Sequence, residues 1–272
     1  MLNRLLKLET KLNNEKHWAY KNLHFFLDRL NAQLPLRVNG KFFWIPIIYG
    51  MGLYHLLKTE SFLAPLIRKL YNFSEGAFID VGANIGQTLL RFKSLGTSEK
   101  YVGFEPNAGA FFYLSELIKV NRFQNCLIFP FPLSAHSGVK ELFKRHRVDT
   151  SSTLVQNYKS FANDGNQTLM FTLCGDQLVH ELGNLKINLI KIDVEGAELE
   201  VICGFKTTLR QHRPFVICEI LPVYHLKSDN LRMRKERQDL LLKFLKTLGY
   251  QFFVLEIISI CKLLKKLRYI PI

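Results

Sequence analysis

The sequence contains few residues of the kinds that mark secreted or membrane-spanning proteins. Five cysteines occur in 272 residues, and none of them belongs to a Cys-x-x-Cys pair. An odd number of cysteines, several of them inside apolar runs, predicts free thiols and a reducing, cytoplasmic setting. The N-terminal residues are charged too early for a secretory leader. The most apolar window, residues 42–57, is broken by Pro46, Gly50 and Gly52 and is too short to span a bilayer.

Acidic residues are also scarce, at 23 against 37 lysines and arginines, which leaves a net charge of +14. A charge of this sign suits nucleic acid, an anionic membrane surface or a phosphorylated substrate, but it also describes an ordinary basic surface. With 48% hydrophobic and 22% charged residues, the composition is that of a globular protein and excludes a disordered chain. The length predicts one large domain with an extension.

Residues 1–70 are predicted to form a helical N-terminal extension. Leucine and phenylalanine recur at helical spacing up to about residue 34. Asn39 and Gly40 then predict a hairpin turn, and residues 56–70 return to helical spacing. Such an extension covers part of the main domain, forms a lid or makes a homo-oligomer contact, and the sequence does not choose among these roles.

Strands and helices alternate from residue 71 onward, which predicts an α/β domain over residues 71–272 with a mostly parallel sheet. Residues 133–173 lack a helical period and are predicted to be an insertion with a β-hairpin and a mobile segment at 151–165. The core strands are predicted at 77–81, 101–105, 126–131, 187–193 and 215–220, and two closing strands at 251–256 and 262–269.

One glycine loop in this domain predicts a nucleotide-binding site. The run FIDVGANIGQT, residues 78–88, indicates a strand, a tight turn and the start of a helix. Its spacing, Asp80-x-Gly82-x-x-x-Gly86, differs from the Gly-x-Gly-x-x-Gly of dinucleotide sites. A carboxylate at the strand end repels a pyrophosphate and attracts a cation, so the loop fits the sulfonium and ammonium of S-adenosylmethionine (SAM) better than NAD. The alternative is a glycine turn that closes an ordinary βα unit.

Four carboxylates follow predicted strands. Asp80, Glu105, Asp193 and Glu219 stand at or near strand ends, at the edge where open α/β sheets bind their ligands. Glu105 is suited to accept both hydroxyls of a ribose. The alternative role for Glu105 is a charge that stabilises the N-terminus of the next helix.

Asp193, Glu219 and His225 are the candidates for moving a proton. Asp193, together with Glu195, orients the reacting centre, forms a weak site for a hard cation or only caps the following helix. His225 follows the fifth core strand, where a histidine can act as a general base, although a lone loop histidine is more often exposed and idle. A basic run at 227–237 is either a solvated helix face or a holder of an anionic substrate.

Three motifs together resemble the FkbM-type SAM-dependent methyltransferase family: FIDVGANIGQT at 78–88, VGFEPN at 102–107 and LIKIDVEGAE at 189–198. The resemblance covers about residues 75–220. It implies a Rossmann-like class I methyltransferase fold, with a seven-stranded sheet that is parallel except for one strand and has helices on both faces. It also implies SAM as cofactor and O-methylation, often of a sugar hydroxyl in a glycan, lipopolysaccharide, exopolysaccharide or natural product.

The same resemblance implies which residues hold the cofactor. Glu105 holds the ribose, with Asn107 of the same motif also in the site, and Ser134 and Ala135 lie beside the adenine. The resemblance identifies no catalytic base, and no metal ligand is predicted. The residues around the methionine part of SAM are Asp80, Gly82, Asn84 and Gly86.

Other classes of protein stay open at this point. The net charge suggests a nucleic-acid methyltransferase, but the Asn/Asp-Pro-Pro-Tyr/Phe motif of base N-methylation is absent after the fourth core strand, where residues 193–196 read DVEG. A non-catalytic relative that binds SAM or a glycan is another alternative. A peripheral membrane contact also stays open, and no motif indicates the acceptor.

Overall fold

The computed structural model describes residues 32–56, 62–71, 75–144, 152–158, 167–183, 185–223, 225–226 and 228–253. Its first elements are the strands β1 (Ala32–Val38) and β2 (Lys41–Ile47), which pair antiparallel as a hairpin. The turn residues, Asn39 at φ 48° and Gly40 at φ 86°, both occupy the left-handed region that a two-residue turn of this kind requires. The predicted Asn-Gly hairpin is therefore confirmed.

Strand β1 corrects one end of the predicted N-terminal helix. Helical spacing extends to about residue 34, yet residues 32–34 already belong to β1 and pair with β2. Leu34, Leu36 and Val38 pack against the core while the residues between them are exposed. A period of two therefore outweighs the helical spacing there, because one face of the hairpin is buried. The rest of the predicted helix, residues 1–31, lies outside the described residues.

The second helical pattern of the extension is confirmed in part. Helix α1 (Leu63–Tyr71) covers most of it, and a 3-10 helix (Met51–Leu56) precedes α1. Five residues of α1, from Leu63 to Leu70, are buried on one side of the helix. That side packs against the main domain.

Five parallel strands form the centre of the main domain. They are β3 (Ala77–Val81), β4 (Tyr101–Phe104), β5 (Cys126–Phe129), β9 (Ile187–Ile192) and β10 (Phe215–Cys218). Their order is β10-β9-β3-β4-β5, and every residue of β3, β4 and β9 is buried, as in parallel strands covered on both faces. The order reverses between β3 and β9, which is the place where open α/β sheets bind ligands.

Helices cover both faces of this sheet, as predicted. One face, with Phe78 and Leu189, packs against α1 and the next two helices, and the other face, with Ile79 and Ile190, packs against the remaining four. Neighbouring residues of a strand thus serve opposite cores. These helices are α2 (Gln87–Ser94), α3 (Ala108–Val120), α4 (Gly175–Glu181), α5 (Glu198–Gly204), α6 (Lys206–Gln211) and α7 (Asp229–Thr247).

The predicted insertion forms a small second sheet. Its strands are β6 (Leu133–Ser134), β7 (Gly138–Phe143) and β8 (Gln167–Cys174), in the order β6-β8-β7. The antiparallel pairing of β7 with β8 confirms the predicted hairpin. Of the segment predicted to be mobile, the structure describes residues 152–158, in which Thr153 exchanges two backbone hydrogen bonds with Phe143.

The described residues do not contain the whole of the expected sheet. The described central sheet has five strands, all parallel, whereas the family resemblance implies seven with one antiparallel. Residues 251–253 are not in a strand, so the first closing strand does not begin where it was predicted, and residues 254–272 are not described. Among the described helices, none combines the length and the apolarity that crossing a bilayer requires. The cysteines of the described residues are free thiols, namely Cys126, Cys174, Cys203 and Cys218.

Candidate active site

The glycine loop that follows β3 packs tightly against the end of β9. Gly82 has φ 86°, and a Cβ atom at this position would overlap the backbone carbonyl oxygen of Asp193. The N–H groups of Gly82 and Ala83 donate to the carbonyl oxygen of Phe104 at 3.0 and 2.9 Å. The loop is thus tied to β4 on one side and packed on β9 on the other, so only glycine fits position 82.

Asn84 and Gly86 complete the turn into α2. Their φ angles are 50° and 89°, and Gly86 is the residue that precedes the first turn of the helix. A Cβ atom on Gly86 would lie 2.8 Å from the side chains of Leu114 and Leu117 in α3. Both glycines of the motif therefore have a packing reason that is independent of any ligand.

Glu105, directly after β4, receives two backbone hydrogen bonds. The N–H of Asn84 donates to its Oε2 and the N–H of Asn107 to its Oε1, each at 2.8 Å. Burial raises the pKa of this carboxyl to about 7, although the two N–H groups favour its charged form. Negative charge on Asp80 and Asp193 adds to the increase. Glu105 also lines the cleft at this edge of the sheet, where its carboxylate can accept hydrogen bonds from hydroxyl groups of a ligand.

Asn107 is engaged as a helix cap. Its Oδ1 accepts hydrogen bonds from the N–H groups of Gly109 and Ala110, at 2.9 and 3.2 Å, and the residue is almost fully buried. The side chain thus closes the N-terminus of α3. Its contribution to Glu105 comes from the backbone.

Asp80, the acid of the glycine motif, lies behind the loop rather than in the cleft. Its carboxyl is fully buried, and the Tyr101 hydroxyl donates to its Oδ2 at 2.5 Å. The Lys191 ammonium lies 3.8 Å from its Oδ1. Burial, followed by the negative charge of Asp80, raises the pKa of Tyr101 well above its usual value, so the phenol stays a donor.

Lys191 connects this buried carboxylate to the cleft. Its ammonium lies 3.1 Å from Oδ2 of Asp193, a side chain that is 28% exposed and lines the cleft. Lys191 itself is 7% exposed. One cation therefore serves two carboxylates, one behind the glycine loop and one in front of it.

Asp193 and Glu219 meet at the ends of neighbouring strands. The N–H of Asp193 donates to the carbonyl of Val81, and the N–H of Glu219 donates to that of Ile192, both at 3.0 Å. A hydrogen bond with Asp193 raises the pKa of Glu219 to about 8, and burial and the charge of Asp193 add to this effect. The two carboxyls therefore titrate as a pair, and their closeness disfavours the state in which both are ionised.

The cleft at this edge of the sheet is lined by both charged and apolar residues. Gly82, Glu105, Asp193 and Glu195 line it together with apolar side chains such as Leu133. SAM carries a sulfonium, an ammonium, a ribose and a flat adenine, so carboxylates beside apolar walls fit this molecule. Among the described residues, no three His, Cys, Asp or Glu side chains are grouped as metal ligands.

The described segment 152–158 closes one side of the cleft. Ser152 and Leu154 line it, and the ring of Tyr158 lies against Gly196, where a Cβ atom would be 2.6 Å from the ring. The Tyr158 carbonyl accepts hydrogen bonds from Asn230 and from Arg234 at 2.8 Å. This segment is therefore anchored to the start of α7.

The described basic residues of the predicted run, which lie on α7, are engaged within the molecule, and Lys227 lies outside the described residues. The Arg234 guanidinium stacks 4.5 Å from the centre of the Tyr158 ring, and Arg237 donates to the carbonyl of Gly196 at 3.0 Å and pairs with Glu200. The run also contains two pairs along the helix, Arg232 with Asp229 and Lys235 with Asp239. These contacts favour a role in holding the segment and the loop after β9.

The remaining predicted site residues lie apart from the cleft lining. Ser134 is fully buried in β6, where its Oγ accepts a hydrogen bond from Lys140 at 2.6 Å, and Ala135 is half-buried next to it. Both follow Leu133, which does line the cleft. His225 is exposed in the loop after β10 and is not among the cleft-lining residues.

Sequence reasoning missed three residues that shape this site: Lys191, Tyr101 and Tyr158. A signal existed for Lys191, because a lysine within the otherwise buried and largely apolar strand 187–192 needs a buried partner. Tyr101 reads as an ordinary aromatic strand residue. The role of Tyr158 depends on its contacts with Gly196 and α7, which sequence spacing does not reveal.

A parallel sheet that reverses its order at a glycine loop, with a carboxylate after the neighbouring strand, is typical of Rossmann-like nucleotide-binding folds, of which the class I methyltransferase fold is one. The Methyltransferase FkbM domain family matches residues 80–252, and the chain belongs to this family. Its cofactor is SAM, as the sequence predicts.

Similarity to individual proteins is more limited. The chain is 33% identical over 142 residues to the hexuronic acid methyltransferase AglP of Haloferax volcanii, which covers 52% of this chain and 54% of that protein. It thus spans about half the length of this curated relative. A precorrin-6y C5,15-methyltransferase from Geobacter metallireducens superposes with a TM-score of 0.41 at 11% identity, over 72% of this chain and 74% of that one. TYW2 of P. horikoshii in complex with MeSAdo superposes with a TM-score of 0.26 at 15% identity, over 39% of this chain and 40% of that one.

Proposed function

We propose that this protein is a SAM-dependent O-methyltransferase whose acceptor is a sugar hydroxyl in a glycan, lipopolysaccharide, exopolysaccharide or sugar-bearing natural product. The observation that carries the proposal is the position of Asp193. Its partly exposed carboxylate shares a cleft with Glu105 and contacts both Lys191 and Glu219. A proton acceptor thus stands in the same cleft as a carboxylate suited to a ribose.

The cofactor residues act in two layers. In front, Glu105 accepts the ribose hydroxyls, and the turn through Gly82, Asn84 and Gly86 faces the methionine part. Behind the loop, Asp80 pairs with Lys191, and Lys191 in turn contacts Asp193 in the cleft. Ser134 and Ala135 follow the cleft-lining Leu133 and support the adenine side.

When bound, SAM would supply an electrophilic methyl group, whose bond to sulfur breaks as S-adenosylhomocysteine leaves. A sugar hydroxyl is a weak nucleophile, so its attack is assisted when a carboxylate accepts its proton as the new C–O bond forms. Asp193 is placed to accept that proton, because it lines the cleft and the Lys191 ammonium beside it favours a charged carboxylate. The contact with Asp193 favours the protonated form of Glu219, which orients Asp193 through their hydrogen bond. The chain's main contribution is to hold the acceptor oxygen in line with the methyl group.

The name of the curated relative supports the acceptor class. That protein is a hexuronic acid methyltransferase, and its match covers 142 residues of this chain. A sugar, free or within a glycan, is therefore the first acceptor to test. A uronic acid is anionic, but three basic residues of α7, Arg232, Lys235 and Arg237, are already paired with acids of the same molecule. The test therefore compares neutral sugars with uronic acids.

Calorimetric titration with S-adenosylhomocysteine (SAH), with NAD as the matched control, tests the cofactor. We expect micromolar binding of SAH and none of NAD. Absence of SAH binding in a folded sample would contradict the proposal.

Methyl transfer from SAM to a panel of neutral sugars and uronic acids tests the reaction. With an acceptor in hand, Asp193→Asn should lower kcat by roughly 100- to 10,000-fold while SAH affinity changes far less. His225→Ala is the matched comparison and should retain far more activity, because His225 does not line the cleft. Full turnover of Asp193→Asn would remove Asp193 from this role. SAH binding without transfer to any acceptor would favour a non-catalytic SAM-binding relative.

A further inference from the structure

His55 connects the N-terminal extension to the glycine loop. The residue lies in the 3-10 helix after the hairpin and is 7% exposed. Its Nε2 lies 3.0 Å from the carbonyl oxygen of Ile85, in the middle of the loop. Its ring stacks on that of Tyr113 in α3, with centroids 5.6 Å apart. The side chain of His55, which precedes the main domain in the chain, thus contacts the glycine loop of the cofactor site.

The chemistry of this contact gives the direction of the hydrogen bond. A backbone carbonyl only accepts, so Nε2 of His55 carries the proton and donates. Burial lowers the pKa of His55 to about 4, and the positive charge of Arg91 lowers it further, against the effect of the Ile85 carbonyl. The ring is therefore neutral near pH 7, with Nε2–H directed at the loop.

The loop is held from two sides at adjacent residues. The N–H of Asn84 donates to Glu105, and the carbonyl of the next residue, Ile85, accepts from His55. Asn84, directly before Ile85, has a left-handed backbone angle, which is strained for a residue other than glycine and persists only with support from its surroundings. The bond to His55 opposes rotation of the peptide that follows Ile85.

We infer that His55 is a positioning residue of the cofactor site, so that the segment 32–56 belongs functionally to that site. The inference rests on the proposed function, because it takes the loop to be the SAM loop. The segment 32–56 then contributes to the affinity for the cofactor.

Two variants and one control test this inference on the full chain. His55→Phe keeps a stacking ring but has no donor, and His55→Gln keeps a donor. The control, Tyr113→Phe, removes a buried hydrogen bond of 2.8 Å from the same cluster, between the Tyr113 hydroxyl and the carbonyl of Pro46, but leaves the loop untouched. The readouts are the Kd for SAH, the KM for SAM, kcat and Tm.

We expect His55→Phe to weaken SAH binding and to raise the KM for SAM by roughly fivefold to tenfold, with kcat at saturating SAM unchanged. His55→Gln should restore the affinity to within about twofold of the wild type, and Tyr113→Phe should lower Tm without changing the Kd. His55→Met replaces His55→Phe if the latter does not fold. Wild-type affinity in the variant without a donor, or an equal loss of affinity in Tyr113→Phe, would overturn the inference. Failure of the wild type to bind SAH would instead refute the proposed function.

A second observation concerns the outer face of the same hairpin. Phe42 and Trp44 point away from the core and are 73% and 51% exposed, and the Arg37 guanidinium lies 5.7 Å from the centre of the Phe42 ring. Residues 32–56 contain no aspartate or glutamate. Exposed aromatic rings beside cations, without an acid, complement an anionic lipid surface, where such rings lie at the headgroup level.

The geometry points to this hairpin face as a docking surface for an anionic membrane. The test is flotation of the full chain with vesicles of phosphatidylcholine alone or with roughly 30 mol% phosphatidylglycerol. Binding should require the anionic lipid, weaken at high salt and be lost in Phe42→Ser with Trp44→Ser. Leu169→Ser with Phe171→Ser is the matched control, because these β8 side chains are 69% and 54% exposed on another surface.

Three outcomes would overturn the membrane assignment. One is the absence of flotation, and the second is flotation that the hairpin variants leave intact. The third is a concentration-dependent dimer that the hairpin variants abolish, since the face would then be covered by a second copy of the chain.

Discussion

The ammonium of Lys191 lies 3.1 Å from the carboxylate of Asp193, the proposed proton acceptor. The same ammonium lies 3.8 Å from the fully buried carboxylate of Asp80. The acid of the glycine motif and the acid after β9, 113 positions apart in the chain, are therefore coupled through one buried cation. A change at any of the three residues reaches both sides of the glycine loop.

Lys191→Met should destabilise the fold by roughly 3–5 kcal/mol, because it leaves a buried carboxylate without its cation. Urea unfolding measures this loss. The matched control is Lys186→Met, an exposed lysine just before β9, which should change stability by less than about 0.5 kcal/mol. Adding Asp80→Asn to Lys191→Met should recover part of the loss. Equal stability of the two lysine variants would show that the buried pairing does not stabilise the protein.

Gly82→Ala should both destabilise the protein and abolish SAH binding. The new Cβ atom would overlap the Asp193 carbonyl oxygen, and the position has φ 86°. Gly183 is the control, because it has φ 75° but a Cβ atom there would meet no other atom within 4 Å, so its alanine variant carries only the backbone strain. We expect about 1 kcal/mol for Gly183→Ala and at least about 3 kcal/mol for Gly82→Ala, measured by denaturant unfolding. Similar losses would mean that the loop moves away from β9 at little cost.

SAH affinity should rise with pH up to about 7 and then level off. The pKa of Glu105 is raised to about 7, and ribose hydroxyls donate to its charged form, so binding is weaker while the carboxyl is protonated. Calorimetry from pH 6 to pH 8 measures the trend. Glu105→Gln should bind more weakly and lose this dependence, whereas the surface variant Glu116→Gln should keep it. A trend unchanged in Glu105→Gln would assign it to another group.

Stability should fall as the pH rises from about 6.5 to about 8. Glu219 and Glu105 have folded-state pKa values of about 8 and about 7, above the ordinary value of 4.5, so the folded state binds more protons than the unfolded state across this range. Their contribution is complete below the unfolded pKa and is lost as the pH passes the folded one. Below about 6.5 the lowered pKa of His55 opposes this trend, because the unfolded state then binds a proton at this histidine that the folded state does not. Glu219→Gln should flatten the upper part of the curve. Thermal unfolding at a series of pH values tests this, and a curve that rises between about pH 6.5 and about pH 8 would contradict it.

Local features could be predicted because neighbouring residues determine them. The turn at Asn39 and Gly40 requires left-handed angles that few other residues adopt, and the strand ends at Asp80 and Glu105 follow from apolar runs that stop at an acid. The helix predicted to about residue 34 was wrong at its end, where residues 32–34 belong to a strand. Burial of one face of the hairpin favoured the alternating period of a strand over the helical period. The roles of the candidate site residues stay predictions, although the structure brings Gly82, Glu105 and Asp193 to one cleft.

The amino-acid sequence by itself determined the alternation of strands and helices, the glycine loop and the acids at the strand ends, because each depends on residues close together in the chain. Only the tertiary structure decided which side chains face one another. Lys191 between Asp80 and Asp193, Tyr158 on Gly196 and His55 beneath Ile85 all join distant segments. Such contacts follow from the strand order and from the packing of the hairpin against α3, which periodicity and motif spacing do not encode.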